Sequence, residues 1–530
     1  MRKSVLAYLA LTGLVTALAS CSVKPPAYDL LILNGTIVDG SGGPAYEGDI
    51  AIAGDEIVKI GELDGMPAIR TIDASGLAVS PGFIDLHSHA DRNIRDNPGV
   101  ENYLRQGVTT ILAGNCGKSP VDLETYFKSV NETGIAINLA MLIGHNNVRA
   151  EVMGNENRAP TEQEQDRMAQ LVREAMQAGA FGMSTGLIYL PGTYSETGEV
   201  IALARVVASQ GGIYATHIRS EFERLIEAIE EAILVGREAG LPVEISHLKV
   251  ADNSMWGDSG IVLDMVAAAT AEGMDIGIDQ YPYTAGSTGL ANVFPAWARA
   301  GSREDFQKRL DDPEIRARIK ADSIRILNGA RAAGDLSNIV IASFDNHPEY
   351  SGKTLAEVTR MNGLEPTVEN GAEVAMNLLY DNNASAIYFM MSEADVRNIM
   401  QSPFTSIASD SSAIPFGKNV PHLRNYGTYP RVLARYVRDE RVLSLEEAIH
   451  KMTALPASRI NLGTRGTLAE GQIADINIFD PETVQDNDDW AHPHQYATGF
   501  EYVIVGGTAV IDQGMKTGKF PGKVLKKSRS

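Results

Sequence analysis

Hydrophobic and polar positions change their period twice along this chain. From Asp29 to about Ser80, short apolar runs (Leu30-Leu31-Ile32, Thr36-Ile37-Val38, Asp49–Ile52, Ile57–Ile60) are separated by Asn34-Gly35, Gly42-Gly43 and Gly54-Asp55. Such runs broken by turn dipeptides predict antiparallel hairpins. From about residue 81 the pattern becomes solid apolar runs alternating with amphipathic stretches such as Glu162–Ala178 and Phe222–Ala239. Solid runs read as strands buried on both faces, and the amphipathic stretches as the helices between them. The runs are Gly82–Leu86, Val108–Ala113, Asn138–Ile143, Gly182–Ser184, Ile213–Thr216, Val243–Ser246, Asp275–Asp279 and Thr405–Ser409. Near the end, Gly466-Thr467-Leu468, Ala474–Phe479 and Tyr502–Gly507 return to β pattern.

Eight strand–helix units over about 350 residues predict an α/β fold, a (β/α)8 TIM-like barrel. The β-rich flanks predict one small β-domain built from both termini, from residues 28–80 and 456–530, around a barrel at 81–455. The stretch between the seventh and eighth runs is too long for a simple connection. It predicts an inserted lobe, placed within about 288–350.

The first residues read as a targeting segment rather than fold. Arg2 and Lys3 precede an apolar run from Leu6 to Ala19, too short for a confident span. The run closes in Leu18-Ala19-Ser20-Cys21, which resembles a bacterial lipobox. That resemblance implies a signal peptide at 1–20, lipidation of Cys21 and a polar tether at 22–27. The other reading is a plain signal peptide with an unmodified Cys21. Lipidation would place the protein on the periplasmic face of the envelope, held by the anchor alone, with Ser22 favouring the outer membrane. Cys116 is then the one thiol of the folded body, in an oxidising compartment and with no intrachain partner. A formal charge of −21 leaves no basic surplus for nucleic acid.

Candidate chemistry lies at the C-terminal ends of the predicted strands, where barrel enzymes place their sites. The first ends in His87-Ser88-His89, two imidazoles on one face; the second in Asn115-Cys116; the fifth in His217; the sixth in His247; the eighth in Asp410. Imidazole, thiolate and carboxylate are zinc-type ligands. Singly, His217 and His247 also read as structural histidines, Cys116 as a small buried side chain and Asp410 as a helix cap. Six such residues at five strand ends favour a metal site.

Here the chain resembles the amidohydrolase superfamily, and within it the N-acyl-D-amino-acid deacylase family. The resemblance is carried by Pro81–His89, Gly114-Asn115-Cys116-Gly117, Tyr214–Glu221, Ser246-His247-Leu248-Lys249, Tyr281–Ser287, Ser409-Asp410 and Gly466–Ile476. It implies Zn2+ held tightly by Cys116, His217 and His247, with a weaker second site at His87, His89 and Asp410. It implies that the Cys116 thiolate takes the bridging part played by a carboxylated Lys in many relatives. It implies hydrolysis of the amide of an N-acyl-D-amino acid, or of a dipeptide ending in a D-residue, with metal-bound water as nucleophile and Asp410 as general acid and base. Lys249, Tyr281, Ser287 and Arg424 would hold the substrate carboxylate, although Lys249 also reads as a surface cation and Arg424 as structural. His145, at the end of the third strand, resembles a family position near the substrate, and its role stays open. Ser411–Lys418 departs from the family's pattern and would wall the leaving-group side. A cyclic-amide hydrolase and a catalytically inactive binding barrel are the alternatives.

Overall fold

The computed structural model describes residues 28–527; the expected signal segment, Cys21 and tether lie outside them. The barrel strands are β1 (Phe83–Asp85), β2 (Val108–Ala113), β3 (Asn138–Gly144), β4 (Gly182–Gly186), β5 (Ile213–His217), β6 (Val243–Ile245), β7 (Ile276–Gln280) and β8 (Thr405–Ile407). They form one parallel sheet in sequential order, and every strand residue is buried. That explains their solid apolar runs: helices cover the outer face and side chains fill the inside.

The seam between β1 and β8 is closed just beyond the strands. The Asp410 amide donates to His87 O at 2.8 Å, and the His89 amide to Ser411 O at 2.7 Å. Asp85 ties the same seam by accepting from the His87 amide (3.1 Å), the Ser409 amide (3.0 Å) and the Ser409 hydroxyl.

The lobe is built on an antiparallel sheet of Ala285–Gly289, Ile339–Ser343 and Ser385–Phe389. Helices Arg303–Asp311, Pro313–Ile326, Leu355–Met361 and Val368–Asp381 and the segments between them enclose a separate core including Phe294, Ile319, Leu336 and Met376. It runs well past residue 350. Its last strand is the central one, pairing with both others, so the lobe cannot close before Phe389.

The second domain is a nine-stranded sheet in which the C-terminal strands form one half and the N-terminal strands the other, joined where Ile476–Phe479 pairs antiparallel with Ala78–Pro81. Tyr46–Ala53 and Glu56–Gly61 make the expected hairpin around Gly54-Asp55. Asn34-Gly35, however, is a bulge within one strand, Tyr28–Ile37, and not a turn. Asn34 adopts φ 60°, its amide donates to Asp49 and its side chain to Asp73, so the extra residue is absorbed without reversing the chain. Ala68–Asp73 and Ala78–Pro81 pair parallel to that strand, so the sheet is mixed. Gly466-Thr467-Leu468 forms no strand; one hydrogen bond, Leu468 N to Asp39 O, secures it.

Two excursions tie this domain to the barrel. A loop between Phe479 and Phe500 sends Trp490 against His422 and Phe389. From the same loop, His494 accepts from the Gly417 amide and donates to Asn419 O, bracing the segment after Asp410. The C-terminal strap crosses the opposite end of the barrel, bridging Gly522 to Ile135 and Val524 to Leu139. No helix among the described residues is long and apolar enough to cross a membrane.

Candidate metal centre

Five strand ends deliver the six expected ligands to one point. His87 is fully buried, and His89, Cys116, His217, His247 and Asp410 are each more than nine-tenths buried. Cys116 Sγ lies 3.3 Å from His87 Nε2, 3.5 Å from His247 Nε2 and 3.7 Å from His217 Nδ1. His217 Nδ1 and His247 Nε2 are 2.8 Å apart. On the other side, Asp410 Oδ1 lies 3.1 Å from His89 Nε2 and 3.7 Å from His87 Nε2.

Three overlapping sets result: His87/His89/Cys116, Cys116/His217/His247 and His87/His247/Asp410, each with ligand atoms within 4.8 Å of one another. Cys116 belongs to two of them. A thiolate facing three imidazoles, with imidazoles and a carboxylate beside it, is a donor set that fits zinc. The other readings of these residues do not describe this arrangement. Cys116 sits among imidazoles rather than in apolar packing, and Asp410 caps no helix, since the next one starts at Arg424.

Local backbone geometry presents three of the ligands. Cys116 (φ 53°), His247 (φ 37°) and Asp410 (φ 50°) all adopt left-handed conformations immediately beyond their strands. Non-glycine residues held there cost about 1 kcal/mol or more each and cluster at functional sites. Around Cys116 the fit is tight: a Cβ on Gly117 would lie 1.9 Å from Asn146 Oδ1.

The electrostatics suit metal binding. Burial alone would raise the Cys116 thiol, but His87 and His247 outweigh it and hold it well below its ordinary value. Burial likewise opposes ionisation of Asp410, yet Arg424 and His87 pull its carboxyl far down.

Two further carboxylates, to which the sequence reading gave no role, orient the imidazoles. Asp279, at the end of β7, lies 3.3 Å from His87 Nδ1 and accepts the His247 amide at 2.8 Å. Glu221 lies 3.3 Å from His247 Nδ1 and 3.8 Å from His217 Nε2. Such partners fix ring orientation and ligand basicity. Asp279 carried a usable signal: like Asp410, it is a carboxylate at a strand end.

Lys249, Tyr281, Ser287 and Arg424 line one small cavity together with His217, His247 and Asp410. Lys249 is buried, not on the surface; its ammonium donates to Glu221 at 2.5 Å and lies 2.9 Å from His247 Nδ1. Arg424 pairs with Asp410 at 3.0 Å and stacks over the Tyr281 ring, and its Nε is buried without a partner. His422, accepting the Arg424 amide at Nδ1 and donating to Ala285 O from Nε2, anchors the start of that helix.

His145 stands apart. It is fully buried and bonds Glu199, which also takes Arg149. It lines none of the cavities around the ligands.

A cavity of ≈ 740 Å³ opens from the ligands toward the lobe. Arg92, Lys118, Arg299, Arg303, Lys418 and Arg424 line it, and Asp410 is its one carboxylate among the described residues. In a chain of net charge −21, this is a local reversal of sign. Ser412, Ile414 and Lys418 also line it, so the segment after Asp410 does form a wall.

The amidohydrolase family profile matches residues 70–511. A D-aminoacylase of Alcaligenes xylosoxydans xylosoxydans is 37% identical over 94% of this chain and 97% of its own length. From the same organism, an N-acyl-D-aspartate deacylase is 37% identical over 94% of this chain and 95% of its own. An N-acyl-D-glutamate deacylase from Bordetella bronchiseptica, solved with zinc and a phosphonate mimic of the reaction's tetrahedral intermediate, superposes with TM-score 0.81. It is 33% identical, covering 94% of this chain and 99% of its own. D-Hydantoinase superposes at TM-score 0.56 and 17% identity, which is likeness of fold.

Proposed function

From the premise that this chain belongs to the amidohydrolase family, we propose that it is a zinc-dependent deacylase of N-acyl-D-amino acids, releasing a carboxylic acid and a free D-amino acid. Dipeptides ending in a D-residue present the same bond and the same carboxylate. The observation that carries this reading is the Cys116 thiolate shared between two ligand sets, beside a cavity lined by Lys249, Tyr281, Ser287 and Arg424.

Cys116, His217 and His247 would hold a tightly bound ion, and His87, His89 and Asp410 a second, weaker one. When bound, zinc polarises an amide carbonyl and makes water nucleophilic near neutral pH. Asp410, kept ionised by Arg424, accepts the proton from the attacking water and returns it to the leaving nitrogen. Lys249 and Arg424 supply positive charge, and Tyr281 and Ser287 hydroxyls, toward the substrate α-carboxylate. The basic cavity draws anionic substrates toward the site. Tyr189, whose ring lies 4.8 Å from that of His217, covers the ligands on the lobe side. We also propose that the protein is exported and held at the envelope through lipid on Cys21.

The test is amine release from paired N-acetyl-D- and N-acetyl-L-amino acids by zinc-loaded protein, beside Cys116→Ala. Strong D-preference, with rate and bound zinc both lost in the variant, is expected. Equal rates on the two enantiomers, or a variant that keeps zinc and activity, would refute the assignment.

A further inference from the structure

Two buried side chains from distant parts of the chain aim unpartnered oxygens at one spot on the helix Arg424–Arg431. Asp488, in the loop between Phe479 and Phe500, is 8% exposed, and Tyr283, in the connection after β7, is 3% exposed. Among the described residues neither carboxylate oxygen of Asp488 has a hydrogen-bond partner, and nor does the Tyr283 hydroxyl. A Cβ on Gly427 would lie 2.5 Å from Asp488 Oδ1 and 2.5 Å from Tyr283 Oη. The two oxygens are thus at most about 5 Å apart, the span of two oxygens each about 2.3–2.6 Å from a shared ion. Glycine is a poor residue inside a helix. Here its missing side chain is what lets both oxygens face the same spot.

The charges around this spot do not balance. Asp488 faces Asp486 and Asp489 on its own loop, Arg431 and Tyr426 on the helix, and Tyr283. Arg431 is the one cation of the group, and it is already engaged. It pairs with Asp486 at 3.0 Å, donates to Pro282 O at 2.9 Å and stacks over the Tyr283 ring. Asp489 is exposed and accepts from the Ala491 and His492 amides. One buried carboxylate is therefore left over, and burying it is costly unless a proton or a cation answers it. The donors that converge are a carboxylate and a hydroxyl, with no sulfur or imidazole between them. Such hard oxygens suit alkali and alkaline-earth ions rather than zinc. A single surplus negative charge matches a single positive one.

We propose that Asp488 and Tyr283 bind a monovalent alkali cation, Na+ or K+, over Gly427, stapling the loop between Phe479 and Phe500 to the helix that begins at Arg424. The site is separate from the zinc ligands and stands whether or not the deacylase reading holds. Both stapled pieces reach toward the active centre. The loop carries Trp490 against His422, and His494 against the segment after Asp410. The helix carries Arg424, which pairs with Asp410. Without the ion, the Asp488 carboxyl holds a proton up to about 8. Binding releases that proton to solvent, so the ion is held more tightly as pH rises toward that value.

The experiment measures Tm and backbone hydrogen exchange of the zinc-loaded protein at pH 8. The salts are NaCl, KCl, CaCl2 and tetramethylammonium chloride at equal ionic strength. The variants are Asp488→Asn, Tyr283→Phe and, as a neighbouring control, Asp489→Asn. The first two keep shape while removing the charge or the hydroxyl, and each protein is compared with itself across salts. Relative to tetramethylammonium, NaCl or KCl should raise the wild-type Tm saturably, by about 2–3 °C at a hundredfold excess over Kd. Exchange of the amides of residues 480–499 should slow about tenfold with it. Asp488→Asn should lose both responses, Tyr283→Phe should weaken the ion at least about fivefold, and Asp489→Asn should respond like the wild type. Any gain that Asp488→Asn brings to the ion-free protein should shrink by the wild-type increment once the ion is added. Equal Tm in tetramethylammonium, sodium and potassium salts would overturn the proposal. So would an increment that survives Asp488→Asn, or one that leaves exchange in residues 480–499 unchanged. A larger increment from CaCl2 than from NaCl or KCl would make the ion divalent and overturn the monovalent assignment.

Discussion

The Lys249–Glu221 pair gives the sharpest quantitative test of how the site is held. Both side chains are about 5% exposed and their charged atoms are 2.5 Å apart. At an effective dielectric of 20, that separation corresponds to roughly 7 kcal/mol of attraction, much of it spent on dehydrating the two ions. Removing one partner leaves the other buried and uncompensated, at about 3–5 kcal/mol. Glu221→Gln and Lys249→Met should therefore each destabilise by about that amount, while the double variant loses little more than either single. Urea unfolding of the zinc-free protein, run as a double-mutant cycle, reads the coupling. Additivity within about 0.5 kcal/mol would show that the two charges act independently and refute the reasoning. The pH dependence has a definite sign. Burial opposes the charge on Glu221, but Lys249 holds its carboxyl well below the ordinary 4.5, so its stabilisation is present above that value and fades as pH falls. Burial also opposes the charge on Lys249, but Glu221 raises it above 10.5, so its part is complete below that value and fades as pH rises. Function separates the partners too. Glu221→Gln should weaken zinc binding about 10–100-fold by disturbing His247, whereas Lys249→Met should act on KM.

Three other perturbations follow from the geometry. Asp488 is buried with both carboxylate oxygens unpartnered, and burial followed by Asp486 pushes its carboxyl up to about 8. It is neutral when folded and ionised when unfolded between its ordinary 3.8 and about 8, so it erodes stability as pH rises across that window. Asp488→Asn should therefore raise Tm by about 3 °C near pH 8 and by almost nothing near pH 4, and an equal gain at both would contradict this. Gly117→Ala meets Asn146 at 1.9 Å and should cost more than about 3 kcal/mol together with zinc content. Gly154→Ala has a similar positive φ but nothing within 4 Å, and should cost only about 1 kcal/mol; similar losses in the two would mean that sterics at Gly117 do not matter. Cys21→Ser should move the exported protein from the membrane to the soluble envelope fraction, and unchanged fractionation would argue against the lipid anchor.

Residues whose role is set by local pattern were legible in the sequence. His87, Cys116, His217, His247 and Asp410 each stand where a solid apolar run meets a polar residue, and that transition is what a barrel strand end looks like along a chain. Residues defined by a partner far away were not. Asn34-Gly35 has turn composition, but Asp49 and Asp73 make it a bulge. Glu221 has meaning only beside Lys249 and His247. The lobe's extent depended on Ser385–Phe389 becoming a central strand, which composition does not encode.

The left-handed backbone at Cys116, His247 and Asp410 bears on how this protein could be improved or worn down. At those three positions, selection for thermal stability alone would favour glycine or asparagine, whereas turnover needs sulfur, imidazole and carboxylate. A directed-evolution screen that scores heat resistance in chelator should therefore collect its gains there first, and activity should disappear before the fold suffers. The same screen run in zinc should leave all three untouched, because the ion binds only the folded state and rewards the side chains that strain it.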